Sequence, residues 1–130
     1  MNTSPLSAQF IDVDADGKLD LAVLASGRLR LWTGNGQGTF SFMSEVNVDA
    51  GAALSTAADV DGDGRSDLIV QAASGTFLSV FRNNGDGTFR QIKTTPMTSA
   101  AASCASADFN EDGKPDLVAA EYAAGLVSVL

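Results

Sequence analysis

The chain has no histidine and only one cysteine, Cys104, among its 130 residues. Without histidine it has no Ser-His-Asp or Cys-His catalytic arrangement and no histidine-bound zinc. One cysteine forms no internal disulfide. Because Cys104 lies in a run of small residues, 100–107, we expect it to be buried as a small apolar side chain. Any catalysis therefore depends on carboxylates, hydroxyls or a metal ion.

Long apolar runs and basic residues are also scarce. No apolar run is long enough to cross a bilayer, and the start of the chain, Met-Asn-Thr-Ser-Pro, lacks the basic and apolar regions of a signal peptide. We therefore expect no membrane insertion. Eight Lys and Arg stand against 16 Asp and Glu, which gives a net charge of −8. This balance argues against nucleic acid or an anionic membrane as a partner.

Aspartate is abundant, and most of it belongs to one pattern, Asp-x-Asp/Asn-x-Asp-Gly-x-x-Asp, at 12–20, 59–67 and 108–116. Alternate residues of such a loop turn their oxygens toward one centre, and glycine at the sixth position adopts a backbone conformation that a side chain disfavours. The pattern predicts a calcium loop. Its side-chain ligands lie at positions one, three, five and nine, and position seven contributes its backbone carbonyl.

Two other structures are compatible with loops of this composition. Asp and Gly also form solvated turns, but three copies with the same ligand positions favour metal binding. An EF-hand needs a glutamate at position twelve and helices on both sides. Here position twelve holds Val23, Val70 or Ala119, and a short strand-like apolar run follows each loop. The EF-hand is therefore excluded.

The loops begin 47 and then 49 residues apart, at Asp12, Asp59 and Asp108, which is a period typical of propeller blades. Each repeat reads as strand, calcium loop, strand, turn, strand, glycine turn and fourth strand. Asn35-Gly36 and Asn84-Gly85 are hairpin signals in the glycine turns, and the fourth strands begin at Phe40 and Phe89. The prediction is an all-β fold of antiparallel, four-stranded β-propeller blades, about 2.7 per chain. The single repeat array, 1–130, divides into blade 1 at 6–47, blade 2 at 48–95 and an incomplete blade 3 at 96–130.

The segments DVDGDGRSDLIV, FNEDGKPDLVAA and RNNGDGTF resemble the FG-GAP and VCBS repeats, the calcium-loop blades of integrin α-subunit propellers and of large microbial extracellular and cell-surface proteins. The resemblance runs from about Gln9 to Leu130 and implies up to three calcium ions per chain. The side-chain ligands it implies are Asp12, Asp14, Asp16 and Asp20; Asp59, Asp61, Asp63 and Asp67; and Asp108, Asn110, Asp112 and Asp116. The loop pattern predicts carbonyl ligands at position seven, from Lys18, Arg65 and Lys114. Integrin-type propellers have about seven blades in one chain, whereas this chain has fewer than three.

An array of this size would expose apolar faces at both ends and an unpaired strand at 126–130, so we expect copies of the chain to close a ring, as a dimer first and a trimer second. The matched positions of Trp32, Phe81, Phe40 and Phe89 predict packing between blades.

Two functions are open at this point. The first is a calcium-binding propeller fragment with structural metal sites, which assembles with itself or binds a protein, glycan or small molecule. The second is weak hydrolysis of activated phosphate or carboxylate esters by metal-bound water beside a carboxylate. Loss of activity on chelation, with the oligomer intact, would distinguish them. The resemblance implies an extracellular or cell-surface parent family.

Overall fold

The computed structural model describes residues 5–48 and 52–129 of the chain. Over these residues it has eleven strands and no helix. The strands form three antiparallel sheets in which sequence neighbours pair. The prediction of an all-β fold with four, four and three strands is therefore confirmed. The predicted boundary between blades 1 and 2, at residue 48, adjoins residues 49–51, which lie outside the described residues. The predicted last strand includes Leu130, which also lies outside them.

The strands of each sheet follow one another in the chain. The first sheet contains β1 (Pro5–Ile11), β2 (Asp20–Ala25), β3 (Arg28–Gly34) and β4 (Phe40–Asn47). The second contains β5 (Ala53–Ala58), β6 (Asp67–Gln71), β7 (Phe77–Asn83) and β8 (Phe89–Pro96). The third contains β9 (Ala101–Ala107), β10 (Asp116–Glu121) and β11 (Leu126–Val129).

The aspartate loop connects the first and second strands of every sheet, as the sequence predicts. The glycine turn connects the third and fourth strands of the first two sheets. In the first sheet the Asn35 side-chain oxygen accepts the amides of Gln37 and Thr39 at 2.8 and 3.1 Å, and Gly36 has a φ of 75°. Only glycine and a few short polar residues adopt this conformation easily. The turn chemistry therefore fixes where β4 begins.

The sheets pack side by side with their first strands adjacent, and an apolar core fills each of the two spaces between them. β6 serves both cores, because successive residues of a strand face opposite sides. Leu68 and Val70 face the first sheet, and Ile69 faces the third. All three are buried. The sheets are thus arranged as propeller-like blades.

The aromatic residues divide between the core and an open face. Phe81 and Phe89 are buried in the core between the first and second sheets, as predicted. Trp32 and Phe40 are half-buried and belong to the opposite side of the first sheet. Cys104 was expected to be buried, but it is half-buried and packs at the edge of the second core, because β9 is largely exposed.

Candidate metal centres

The first loop, 12–20, is shaped by hydrogen bonds from its own backbone to its carboxylates. Asp12 Oδ1 accepts the Asp16 amide at 3.2 Å, and Asp12 Oδ2 accepts the Gly17 amide at 2.9 Å. Asp14 Oδ1 also accepts the Asp16 amide at 3.2 Å. Gly17 has a φ of 79°, which lets the backbone turn these amides toward the carboxylates.

These bonds bring the carboxylates of the first loop together. One oxygen from each of Asp12, Asp14 and Asp16 lies within 4.8 Å of the others. Because calcium–oxygen distances are about 2.4 Å, ligands of a single ion lie within about 5 Å of one another. Burial and the negative charge of Asp20 raise the pKa of Asp14. The cluster therefore fits a hard divalent cation, which would neutralise this repulsion when bound.

The second loop, 59–67, forms a similar cluster from Asp59, Asp61 and Asp67. Asp63 instead pairs with the guanidinium groups of Arg65 and Arg82.

Arg82 reaches two of the predicted ligands from β7. Its Nη2 donates to Asp63 Oδ2 at 3.1 Å, and its Nε lies 2.8 Å from Asp61 Oδ2 without hydrogen-bond geometry. Burial acts to raise the pKa of Asp63, but the Arg65 amide and Arg82 outweigh it and lower that pKa. The first sheet has Thr33 at the equivalent position. The second loop thus has a second cation beside Arg65, whereas the first loop has Lys18 paired with Asp16.

The third loop, 108–116, repeats the backbone pattern of the first. Asp108 accepts the amides of Asp112 and Gly113 at 3.1 and 2.8 Å, and Asn110 Oδ1 accepts the Asp112 amide at 2.9 Å. Asn110 replaces a carboxylate, and within residues 52–129 the acidic side chains of this loop form no cluster like the other two. A third ion per chain stays a prediction.

The position-nine carboxylates have a structural role that the sequence analysis missed. Asp20 is buried, and its two oxygens accept the amides of Val13 at 2.8 Å and Gly34 at 2.7 Å. Asp67 does the same with Val60 and Asn83. Each of these carboxylates thus ties its loop to the end of the third strand of its sheet. Asp116 accepts the Phe109 amide at 3.0 Å.

Position seven also contributes backbone contacts. The amides of Lys18, Arg65 and Lys114 each donate to the preceding aspartate at 2.9 Å. Their carbonyls as ligands stay a prediction.

Asn83 connects two loops and is a second residue that the sequence analysis missed. It is buried, and its Nδ2 lies 3.2 Å from the Asp12 carbonyl and 3.3 Å from the Ser66 carbonyl. Its Oδ1 accepts the Gly85 amide at 2.8 Å. The first loop, the second loop and the second glycine turn therefore meet at one side chain. A polar residue ahead of Asn84-Gly85 was the available signal.

A family model, described as the FG-GAP-like repeat, matches residues 12–70 and again 59–119. The chain belongs to the FG-GAP-like repeat family. Each match begins at the first aspartate of a loop and ends in the second strand of the next sheet, so the FG-GAP unit includes both the loop and the sheet it organises. A comparison with curated protein sequences finds no match. The described residues also contain no helix that could cross a membrane.

Proposed function

We propose that this FG-GAP chain is a calcium-stabilised propeller module, and that its two open sheet faces join copies of the chain into a closed ring. The metal supports the shape of each sheet, and the ring is the functional particle. A dimer is the first expectation and a trimer the second.

The donor atoms support calcium as the metal. The clusters consist of carboxylate oxygens, and the predicted further ligands are backbone carbonyls. Hard cations prefer such oxygens, whereas zinc and copper prefer nitrogen and sulfur. Calcium also accepts irregular coordination by six to eight oxygens, whereas magnesium demands a small octahedron.

A structural role for the metal follows from the same carboxylates. Those of Asp12 and Asp59 also hold their loops by accepting backbone amides, and the loops join the strands of each sheet. Among the described residues, no observation favours ester hydrolysis over this role. The hydrolytic alternative stays a prediction of the sequence.

The exposure of equivalent residues in the three sheets carries the proposal of assembly. Strand register aligns Leu29, Leu78 and Val127, and two residues later Leu31, Val80 and Val129. The first two members of each set are at most 7% exposed, because the following sheet covers them. Val127 and Val129 are 70% and 64% exposed. The third sheet thus presents the face that the other sheets bury.

The opposite face of the first sheet is open as well. Phe10, Leu21, Trp32 and Phe42 form one row across all four strands, and the rings of Trp32 and Phe42 meet edge to face at 5.9 Å. Phe10 and Phe42 are 61% and 59% exposed. In the second sheet the equivalent face is buried against the first sheet. The two open faces therefore correspond to the two sides of an internal sheet contact, which suits head-to-tail assembly.

Light scattering in calcium and in a chelator tests the proposal. In calcium we expect a particle of twice the 13.3 kDa chain mass, or three times in the trimeric case. In the chelator we expect dissociation, because both faces adjoin aspartate loops. A compact, soluble particle of 13.3 kDa in calcium would contradict the proposed assembly.

A further inference from the structure

The first and second sheets make a specific contact at the second glycine turn, 83–89. Val13, the second residue of the first loop, is buried, and its carbonyl accepts the Gly87 amide at 3.2 Å. Ser44 Oγ donates to the Gly87 carbonyl at 2.8 Å. Met43 covers Gly87 so closely that a Cβ there would lie 1.9 Å from its Cε. The glycine turn of one sheet thus receives the loop of the preceding sheet.

The equivalent turn of the first sheet receives nothing in the described chain. It forms an open pocket of about 340 Å³, which we call the turn pocket. The pocket is lined by Phe10, Leu19, Gly34, Gly36, Gly38 and Phe40. Gly34 stands where the second sheet has Asn83. A Cβ at Gly34 would lie 2.1 Å from the Leu19 backbone oxygen, so the Leu19 backbone, and not the pocket, takes the place of the Asn83 side chain.

The residue equivalent to Val13 in the third sheet is Phe109. All three such residues, Val13, Val60 and Phe109, are the second residue of a loop. Val13 packs against the second sheet and Val60 against the third. Phe109 has no following sheet in the described chain and is 55% exposed. Phe109 is therefore an exposed aromatic side chain at a position whose equivalents, Val13 and Val60, pack against the next sheet.

We propose that Phe109 of one copy inserts into the turn pocket of a second copy and anchors the assembly. This inference rests on the proposed function, and it names the residues that carry the contact. In this contact the Gly38 amide is the equivalent of the Gly87 amide. It donates a hydrogen bond to the Phe109 carbonyl of the other copy, as Gly87 does to Val13. Gly38 is exposed and has a φ of 86°, close to the 78° of Gly87.

A second copy is the occupant that the repeat equivalence favours. The pocket and Phe109 lie on the two faces that correspond to the two sides of an internal contact. The larger side chain, Phe109 in place of Val13, meets a pocket lined by the apolar side chains of Phe10, Leu19 and Phe40. A buried aromatic residue in a pocket is the usual anchor of a protein interface.

The same geometry links assembly to the metal. Phe109 lies between the predicted ligands Asp108 and Asn110 of the third loop, and Leu19 of the pocket precedes Asp20 of the first loop. A disordered loop on either side would misplace the anchor or the pocket wall. Loss of order in the first or the third loop should therefore weaken the ring.

Substitution of the anchor and of the pocket tests the inference by light scattering in calcium. Phe109→Ala should raise the dissociation constant of the particle about 30-fold, the effect of removing an interface anchor. Phe10→Ala should also weaken assembly, and the fold should tolerate it because Ala57 is the equivalent in the second sheet. Tyr122→Ala is the control. Tyr122 is 87% exposed beyond the other end of β10, and its removal should leave the mass unchanged.

Cross-linking reports the proximity of two positions even where loss of the Phe109 ring weakens assembly, because a disulfide traps transient contacts. In a Cys104→Ser background, the Phe109→Cys and Leu19→Cys double variant should oxidise to covalent oligomers. The Tyr122→Cys and Leu19→Cys pair should not. A wild-type particle that stays monomeric in calcium would overturn the proposed ring and this inference with it. A wild-type oligomer that keeps its mass in Phe109→Ala, with no cross-link in the Phe109→Cys and Leu19→Cys double variant, would overturn the anchor alone.

Discussion

Arg82 distinguishes the second metal loop from the first at the scale of one residue. Its guanidinium contacts Asp61 and Asp63, whereas Thr33 stands at the same position in the first sheet. A metal ion entering the second loop must displace this cation from two carboxylates. The second loop should therefore remain ordered without metal but bind it more weakly than the first.

Arg82→Thr, which copies the first sheet, should raise the calcium affinity of the second loop. Solvent screens ion pairs between partly exposed side chains, so the expected gain is limited, between about twofold and 30-fold. In a chelator the same variant should melt at a lower temperature than the wild type, because Asp61 loses its ion pair and Asp63 keeps only Arg65. Calorimetric titration and thermal melts measure the two effects.

Arg90→Thr is the matched control for this prediction. Arg90 pairs with Arg82 across β7 and β8 but is exposed, so its loss changes the net charge equally without touching the loop. Calcium affinity that stays equal in the wild type and Arg82→Thr would show that the guanidinium does not compete with the ion.

The loop positions could be predicted from the sequence, because the ligand pattern is local and occurs three times. The contacts of Arg82 and Asn83 could not. Asn83 meets Asp12 from 71 residues away, and that distance is set by the packing of two sheets. The structural role of Asp20 was likewise hidden, since the pattern predicts a metal ligand at this position but does not show the Gly34 amide that its carboxylate accepts.

At the scale of the element, Glu121 holds the third sheet together. It is buried at the end of β10, where Oε1 accepts the Ser128 hydroxyl at 2.5 Å and Oε2 accepts the Ser99 amide at 2.6 Å. The Ser128 hydroxyl and the Ser99 amide lower the pKa of Glu121. A lowered pKa in the folded state means that the ionised carboxylate stabilises the sheet.

Glu121→Gln should therefore melt at a lower temperature than the wild type above pH 4.5, the usual pKa of a glutamate. The difference should shrink as the pH falls through the lowered folded pKa, since the wild-type carboxylate is then protonated too. Melting curves of both proteins from neutral to acidic pH measure it. Glu111→Gln, at an exposed loop residue, should melt at the same temperature as the wild type at every pH. A difference in melting temperature between the wild type and Glu121→Gln that stays constant down to the lowest pH would refute the role of the charge.

Strand positions were predictable at this scale because turn chemistry marks their ends. The aspartate loops and the two Asn-Gly turns bracket most strands, and β4 and β8 begin at Phe40 and Phe89 as expected. The sequence did not predict as well which face of a sheet is covered by a neighbouring sheet. Alternation assigns residues to two faces, but it does not say which face has a neighbour, so Trp32 and Phe40 were expected between blades and instead belong to an open face.

For the whole molecule, calcium should raise the melting temperature more than magnesium at equal concentration. A site at 100 times its dissociation constant contributes about 2.7 kcal/mol, which corresponds to roughly 10 °C for a chain of this size. Magnesium fits the loops poorly because it demands a small octahedron. Thermal melts in each ion and in a chelator measure the effect. A melting curve that a chelator leaves unchanged would mean that the loops hold their shape without metal.

The strict neighbour-to-neighbour strand order has a kinetic consequence. Every strand pairs only with the strand before or after it in the chain, so each sheet closes through short loops, and its contact order is low for an all-β protein. Low contact order favours fast folding. The sheets can therefore form as separate units early, and the long-range contacts at Asn83 and Gly87 form when they dock. We therefore expect the docking of the sheets, instead of strand pairing, to limit the folding rate.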